Sequence, residues 1–211
     1  MAQATPEIAA IVLAAGRSSR MGAHKLLLPL GGRPLLTYAV EAACASSTAP
    51  VVIVLGHNAE AARAALLSQP ASCYQVVINA DYAQGMAGSL RVGLNALPAT
   101  ASGVVVALAD QPLVTSAIFA ALLTEAARQP ESIVAASYAG QRGHPLYFPR
   151  ALFDELRAVS GDEGGRSVIA RYPDRLRLVA IADSDAALDV DRPEDYTRIQ
   201  AIVSQRQPGN Y

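Results

Sequence analysis

Six short apolar runs rich in valine, isoleucine and leucine recur along the chain, at residues 9–13, 51–55, 74–78, 103–108, 132–137 and 176–181, each of strand length. Alanine-rich segments with helical spacing, 35–45, 59–67 and 89–97, separate the first four, and 116–128 continues the alternation with Thr115 or Ser116 as its N-cap. Strands alternating with helices require crossover connections, which make the sheet parallel and place helices on both of its faces. The expected architecture is therefore α/β, with three α/β/α layers and a mostly parallel sheet. After Ser137 the pattern changes: residues 138–142 read as a turn and 144–148 as a short strand, a hairpin expected to form a lid. A helix over 149–159, a polar loop over 161–164, a short helix over 166–171 and a last helix over 193–205 complete the expectation.

With 211 residues, 52% hydrophobic and 17% charged, the chain has enough apolar surface to bury the core of one domain, 1–211, without disulfides or metal. Cys44 and Cys73 lie far apart in sequence with no zinc-type spacing, so both read as buried small hydrophobes. A formal charge of −1 gives no polybasic footprint, which argues against nucleic acid or an anionic membrane as partner and favours a small-molecule substrate. The start, MAQATPEIAA, lacks the basic and apolar regions of a secretory signal, and no apolar run approaches the ~18 residues of a membrane span. A cytoplasmic location is expected.

Residues 11–25, IVLAAGRSSRMGAHK, carry a strand straight into a glycine-bearing loop with Arg17, Arg20 and Lys25. Gly16 and Gly22 permit close backbone approach, amide groups are free to face anionic oxygens, and the three cations supply charge: the loop reads as a phosphate site at the carboxyl edge of the sheet. No Gly-Lys-Ser/Thr follows and no GxGxxG run is present, which excludes the Walker and dinucleotide loops. Pro29, Gly31, Gly32 and Pro34 delay the next helix to about Leu35.

Three further segments fall on the same edge. Asp110 follows VVVALA and precedes Gln111-Pro112, so its carboxylate should emerge at a strand end, where oxygen ligands suit Mg²⁺ bridged to nucleotide phosphates. Asp189 and Asp191 share a side if their backbone is extended; Asp191 is alternatively the cap of the helix opened by Pro193. In 79–89, Asn79 is a candidate for base or ribose recognition or for stabilising its own turn, Gly85 allows close approach, and Ser89 is a candidate cap. Arg142-Gly-His144-Pro145 and the 161–166 segment, with Asp162 and Arg166, read as substrate-side elements, while His24 and His57 read as local polar residues.

LAAGRSSRMGAHKLLLPLGGRPLL resembles the signature of nucleotidyltransferases similar to the molybdenum cofactor guanylyl- and cytidylyltransferases, and more distantly of those that make nucleotide sugars. The resemblance implies a Rossmann-like nucleotidyltransferase fold with a small acceptor-side hairpin. It implies a nucleotide site at Leu13, Ala14, Ala15, Gly16, Ser18, Arg20, Lys25, Asn79, Gly85 and Ser89, with Arg20 on the outer phosphates and Lys25 on the α-phosphate. Asp110 and Asp189 are the implied metal ligands, Arg20, Lys25 and Asp110 the implied catalytic set, and Arg142, His144, Asp162 and Arg166 the implied acceptor side. Gly161, Asp162, Gly164 and Arg166 match the family's pattern, whereas Gly165 stands where alanine is usual and Arg192 where threonine is frequent. The Ala14-Ala15-Gly16 form goes with the cytidylyltransferase branch, which implies CTP as preferred donor, Mg²⁺ as cofactor, a molybdopterin-type acceptor and a molybdenum hydroxylase as possible recipient. Guanylyl or sugar-phosphate transfer, a non-catalytic cofactor carrier, and a reductase like those recruited in some relatives are the competing readings.

Overall fold

The computed structural model describes residues 7–18, 21, 24–46, 49 and 51–206. The elements run β1 (Glu7–Ala14), β2 (Pro29–Leu30), β3 (Arg33–Pro34), α1 (Leu35–Ser46), β4 (Val51–Leu55), α2 (Ala59–Ala65), β5 (Tyr74–Ile78), α3 (Met86–Asn95) and β6 (Ala101–Leu108). They continue with α4 (Ser116–Arg128), β7 (Ile133–Tyr138), β8 (Gln141–Pro149), α5 (Phe153–Ala158), α6 (Arg166–Arg171), β9 (Leu176–Ile181) and α7 (Pro193–Gln205). A seven-stranded sheet in the order β5-β4-β1-β6-β8-β7-β9 forms the middle layer, and β8 alone runs antiparallel to its neighbours. The three-layer, mostly parallel fold is the one expected.

Strand alternation divides the core between the two faces of this sheet. Val12, Ile53 and Val105 pack under α1 and α4 with Leu36, Phe119 and Leu122. Ile11, Val52 and Val104 face the opposite way, against Leu90 and Leu94 of α3 and Phe153 and Leu156 of α5.

The hairpin is present, but it is no lid. β8 is inserted between β6 and β7, with Val104 opposite Phe148 and Val105 opposite Tyr147. Ile133, Ala135, Leu146 and Phe148 enter one core while Val134, Ala136, Tyr138 and Tyr147 enter the other. A strand buried on both faces belongs in the sheet, because a flap over solvent would leave one of those faces wet.

Three other expectations change. α3 begins at Met86, so Ser89 is an interior helical residue and not a cap. The segment after Pro149 opens as a 3₁₀ turn, Arg150–Leu152, before the α-helix. Cys44 and Cys73 are half-buried and joined in a disulfide, with Cα atoms 5.7 Å apart. α1, which carries Cys44, packs against β4, and Cys73 immediately precedes β5, the strand paired with β4; Val51 N donates to Cys73 O at 2.9 Å beside the bond. Among the described residues, no helix is long and apolar enough to cross a membrane.

Candidate nucleotide and acceptor site

The site lies where β1 and β6 end side by side. Leu13 pairs with Leu108, and Ala109 N donates to Leu13 O at 3.0 Å, so Asp110 leaves the sheet directly beside the loop that follows β1. A second chain segment docks there, because Val190 N donates to the main-chain oxygen of Asp110 at 3.0 Å and carries Asp189 and Asp191 to the same place. Ser18, in the left-handed region at φ 54°, turns the loop, and its hydroxyl accepts from Lys25 N at 3.3 Å.

Lys25 opens a 3₁₀ turn, Lys25–Leu27, and is only 8% exposed. Its Nζ donates to Asp110 Oδ2 at 2.7 Å and to Asp191 Oδ1 at 2.9 Å. Burial opposes the ammonium charge, but Asp110 and then Asp191 more than offset it and raise the pKa above the ordinary lysine value. A cavity of about 150 Å³, bordered by Ala14, Gly16, Ser18, Lys25, Asp110 and Asp191, adjoins this group. Arg20, Gly22 and Ala23 lie outside the described residues.

Asp191 is thus a partner of Lys25 and does not cap α7 through its side chain. The helix uses Arg192 as N-cap, and Asp195 accepts from the main-chain N–H of both Asp191 and Arg192, at 3.2 and 2.8 Å. Asp189 lines a second, larger cavity. Burial, then the charges of Asp110 and Asp191, raise its pKa above the usual carboxylate value. Asp110 thus borders the smaller cavity and Asp189 the larger one.

On the nucleotide side, Asn79 is 4% exposed and engaged at both ends. Its Nδ2 donates to Ser89 Oγ of α3 at 3.0 Å, and its Oδ1 accepts from Asp81 N at 3.1 Å within its own turn. Gly85, at φ 109°, lets the chain pass within van der Waals contact of the loop at Gly161. Met86 N then donates to Asp162 Oδ1 at 3.1 Å, and Ala87 N to Gly161 O at 3.0 Å. Asp162, read from sequence as acceptor-binding, thereby serves the amino end of α3, whose true start lies three residues ahead of the expected one.

Sequence reasoning missed Gly56. A Cβ there would come within 2.6 Å of Tyr82 Cβ and 2.8 Å of both Ala15 Cβ and Ala15 O, so the loop after β1 and the turn at Tyr82 meet across this glycine. A glycine ending the apolar run 51–55 was the available signal. The methyl group of Ala15 is therefore one wall of this close approach. The His24 and His57 rings stack with centroids 5.5 Å apart, and His24 Nε2 donates to His57 O at 2.9 Å.

The larger cavity measures about 590 Å³ and is bordered by Arg142, His144, Asp162, Arg166, Asp189 and Gln111, among others. The four residues expected on the acceptor side come together there, although 24 residues of sequence and two elements separate Arg142 from Arg166. His144 is held neutral: burial, then Arg166 and Arg142, lower its pKa to about 4. Its main-chain oxygen accepts from Tyr138 Oη at 2.7 Å, which ties the hairpin to β7. Two arginines and a neutral imidazole suit an anionic acceptor with a polar ring system.

A divalent cation fits these residues in part. Among the described residues no cluster of three or more His, Cys, Asp or Glu is arranged to hold a metal ion. Two neighbouring carboxylates suffice for Mg²⁺ when substrate phosphates and water complete its octahedron.

Comparison with known proteins places this geometry. The model of the MobA-like NTP transferase domain matches residues 10–176. Nicotine blue oxidoreductase of Paenarthrobacter nicotinovorans is 34% identical over 92% of this chain and 97% of its own length. Molybdenum cofactor guanylyltransferase of Rhizobium meliloti is 33% identical over 94% of each chain. The manganese complex of Rv0371C from Mycobacterium tuberculosis superimposes with a TM-score of 0.77 at 31% identity, covering 92% of this chain and 98% of that one. With its Rossmann-like sheet and the loop that follows its first strand, the chain belongs to the MobA-like NTP transferase family.

Proposed function

We propose that the protein is a Mg²⁺-dependent cytidylyltransferase that joins CMP from CTP to the phosphate of a molybdopterin-type acceptor and releases pyrophosphate. The observation that carries this reading is that Asp110 borders a small cavity at the loop after β1 while Asp189, brought to the same strand end, borders a larger one lined by arginines. An acceptor phosphate oxygen attacks the α-phosphorus of the nucleotide, the bond to the β-phosphate oxygen breaks, and the electron pair leaves with pyrophosphate. A phosphate nucleophile is already ionised near neutral pH and needs no general base. His144, neutral and flanked by Arg142 and Arg166, acts in binding.

Each residue then has a task. Lys25 transfers its hydrogen bonds to the α-phosphoryl oxygens and stabilises the charge that grows on them. Arg20 and the loop amides around Gly16 hold the outer phosphates. Arg142 and Arg166 orient the acceptor, which converts a bimolecular encounter into a positioned one. Asp110 and Asp189 would hold Mg²⁺, which would supply charge neutralisation when bound. The product's recipient would be a molybdenum hydroxylase.

The test incubates purified protein, Mg²⁺ and molybdopterin-type cofactor with CTP, GTP, ATP or UTP in turn, and measures pyrophosphate together with the nucleotide released by acid. Turnover with CTP alone is expected. Turnover with GTP would move the protein to guanylyl transfer, the activity named for its Rhizobium relative. A reductase reading is favoured by the name of the 34% identical relative, and a titration with NAD(P)H followed by fluorescence decides it.

A further inference from the structure

Lys25 occupies Asp110, one of the two carboxylates proposed to hold the divalent cation, and bonds Asp191, two residues beyond the other. Its ammonium is the closest cation to Asp110 Oδ2 and Asp191 Oδ1 among the described contacts, at 2.7 and 2.9 Å, and it is nearly enclosed. Mg²⁺ requires carboxylate oxygens at about 2.0–2.1 Å in a near-octahedral shell. An ammonium already bonded to the same oxygens blocks lone pairs and adds a like charge to the position.

We propose that Lys25 is the resident counter-ion of this carboxylate group, holding the metal's place in the nucleotide-free protein and giving it up when phosphates arrive. The inference rests on the nucleotidyl-transfer reading for the identity of those phosphates. Lys25 Nζ bonds both Asp110 and Asp191, and Asp189 sits beside Val190, whose N–H donates to the main-chain oxygen of Asp110. The ammonium charge offsets the repulsion between the two carboxylates it bonds and opposes the binding of free metal at Asp110. The flexible four-carbon stem lets Nζ move to a phosphate while the turn at 25–27 keeps its backbone. Metal and nucleoside triphosphate consequently bind with positive coupling, each raising the affinity for the other by the same factor.

The experiment titrates nucleotide-free protein with Mn²⁺ and follows the free-ion signal by electron paramagnetic resonance, manganese being a metal that the Mycobacterium relative binds. Lys25→Met removes the competing charge and is expected to tighten Mn²⁺ binding by about tenfold or more, within the ~5–150-fold range of site couplings. Lys25→Arg keeps the charge and is expected to bind Mn²⁺ as weakly as the parent protein. Should Lys25→Met fail to give a cooperative thermal transition, Lys25→Gln carries the measurement. Neutral variants that fold and bind Mn²⁺ no more tightly than the parent overturn the proposal. No nucleotide and no turnover enter the titration, so the outcome stands apart from the success or failure of the transfer assay.

Discussion

Replacing Asp110 by Asn tests the centre of the site, since it removes one negative charge and keeps the side chain's shape. The main-chain bonds that seat the residue, Val190 N to Asp110 O and Ala109 N to Leu13 O, are untouched, so the sheet edge should persist. What is lost is the charge-assisted bond from Lys25 Nζ at 2.7 Å. A hydrogen bond to a charged group contributes about 1.5–3 kcal/mol. The cost stays near that range, below the ~3–5 kcal/mol of a wholly orphaned buried charge, because Asp191 still receives Lys25 at 2.9 Å. For a chain of this size 1 kcal/mol moves Tm by about 2–4 °C, so Tm should fall by about 3–12 °C. Turnover should fall much further, by about 10²–10³-fold, the effect of deleting one preorganised charge contact in a transition state. Differential scanning fluorimetry and pyrophosphate release, measured on one preparation, separate the two effects. Near-parental turnover at a lowered Tm would make Asp110 a structural counter-ion to Lys25 and refute its role in the chemistry.

Three other outcomes are expected. Arg166→Ala should raise the acceptor KM more than the nucleotide KM in steady-state kinetics, since Arg166 borders the larger cavity only; the reverse pattern would assign it to the nucleotide. His144 has its pKa lowered to about 4 in the folded chain, so the unfolded chain binds the proton more readily. The stability this gives is present above pH ~6.5 and is lost as pH falls from there toward 4; denaturant melts across that window should show a shallower loss for His144→Gln than for the parent. Gly56→Ala forces a methyl group against Ala15 and Tyr82 and should cost about 1–3 kcal/mol of stability while raising the nucleotide KM; an unchanged Tm would remove the tight contact from the description of the loop.

Much of the fold was legible because periodicity reports burial directly. The runs 51–55, 74–78 and 176–181 are strands with the expected limits, and α4, α6 and α7 begin and end where spacing and proline predicted. Local signals failed where a distant partner supplies the missing group. The start of α3 depends on Asp162, 76 residues away, and the pairing of Cys44 with Cys73 depends on how α1 packs against β4 beside the start of β5. The turn at residues 138–142 was visible, yet nothing local says whether a hairpin covers a site or enters a sheet; that is settled by burial on both faces of β8.

The site divides in the same way. Sequence by itself determined the chemical parts: a glycine-bearing basic loop after the first strand, carboxylates at strand ends, and arginines in the later segments. Those features follow from residue type and short spacing, which a linear pattern preserves. Only the tertiary structure decided that Lys25 bonds Asp110 and Asp191, that Asn79 bonds both its own turn and Ser89 of α3, and that Asp162 supports a helix end. Each of those outcomes is a choice among several polar partners within reach, and the choice is made by distance and burial once the chain has closed on itself, since a buried donor or acceptor must find a partner wherever the packing places one.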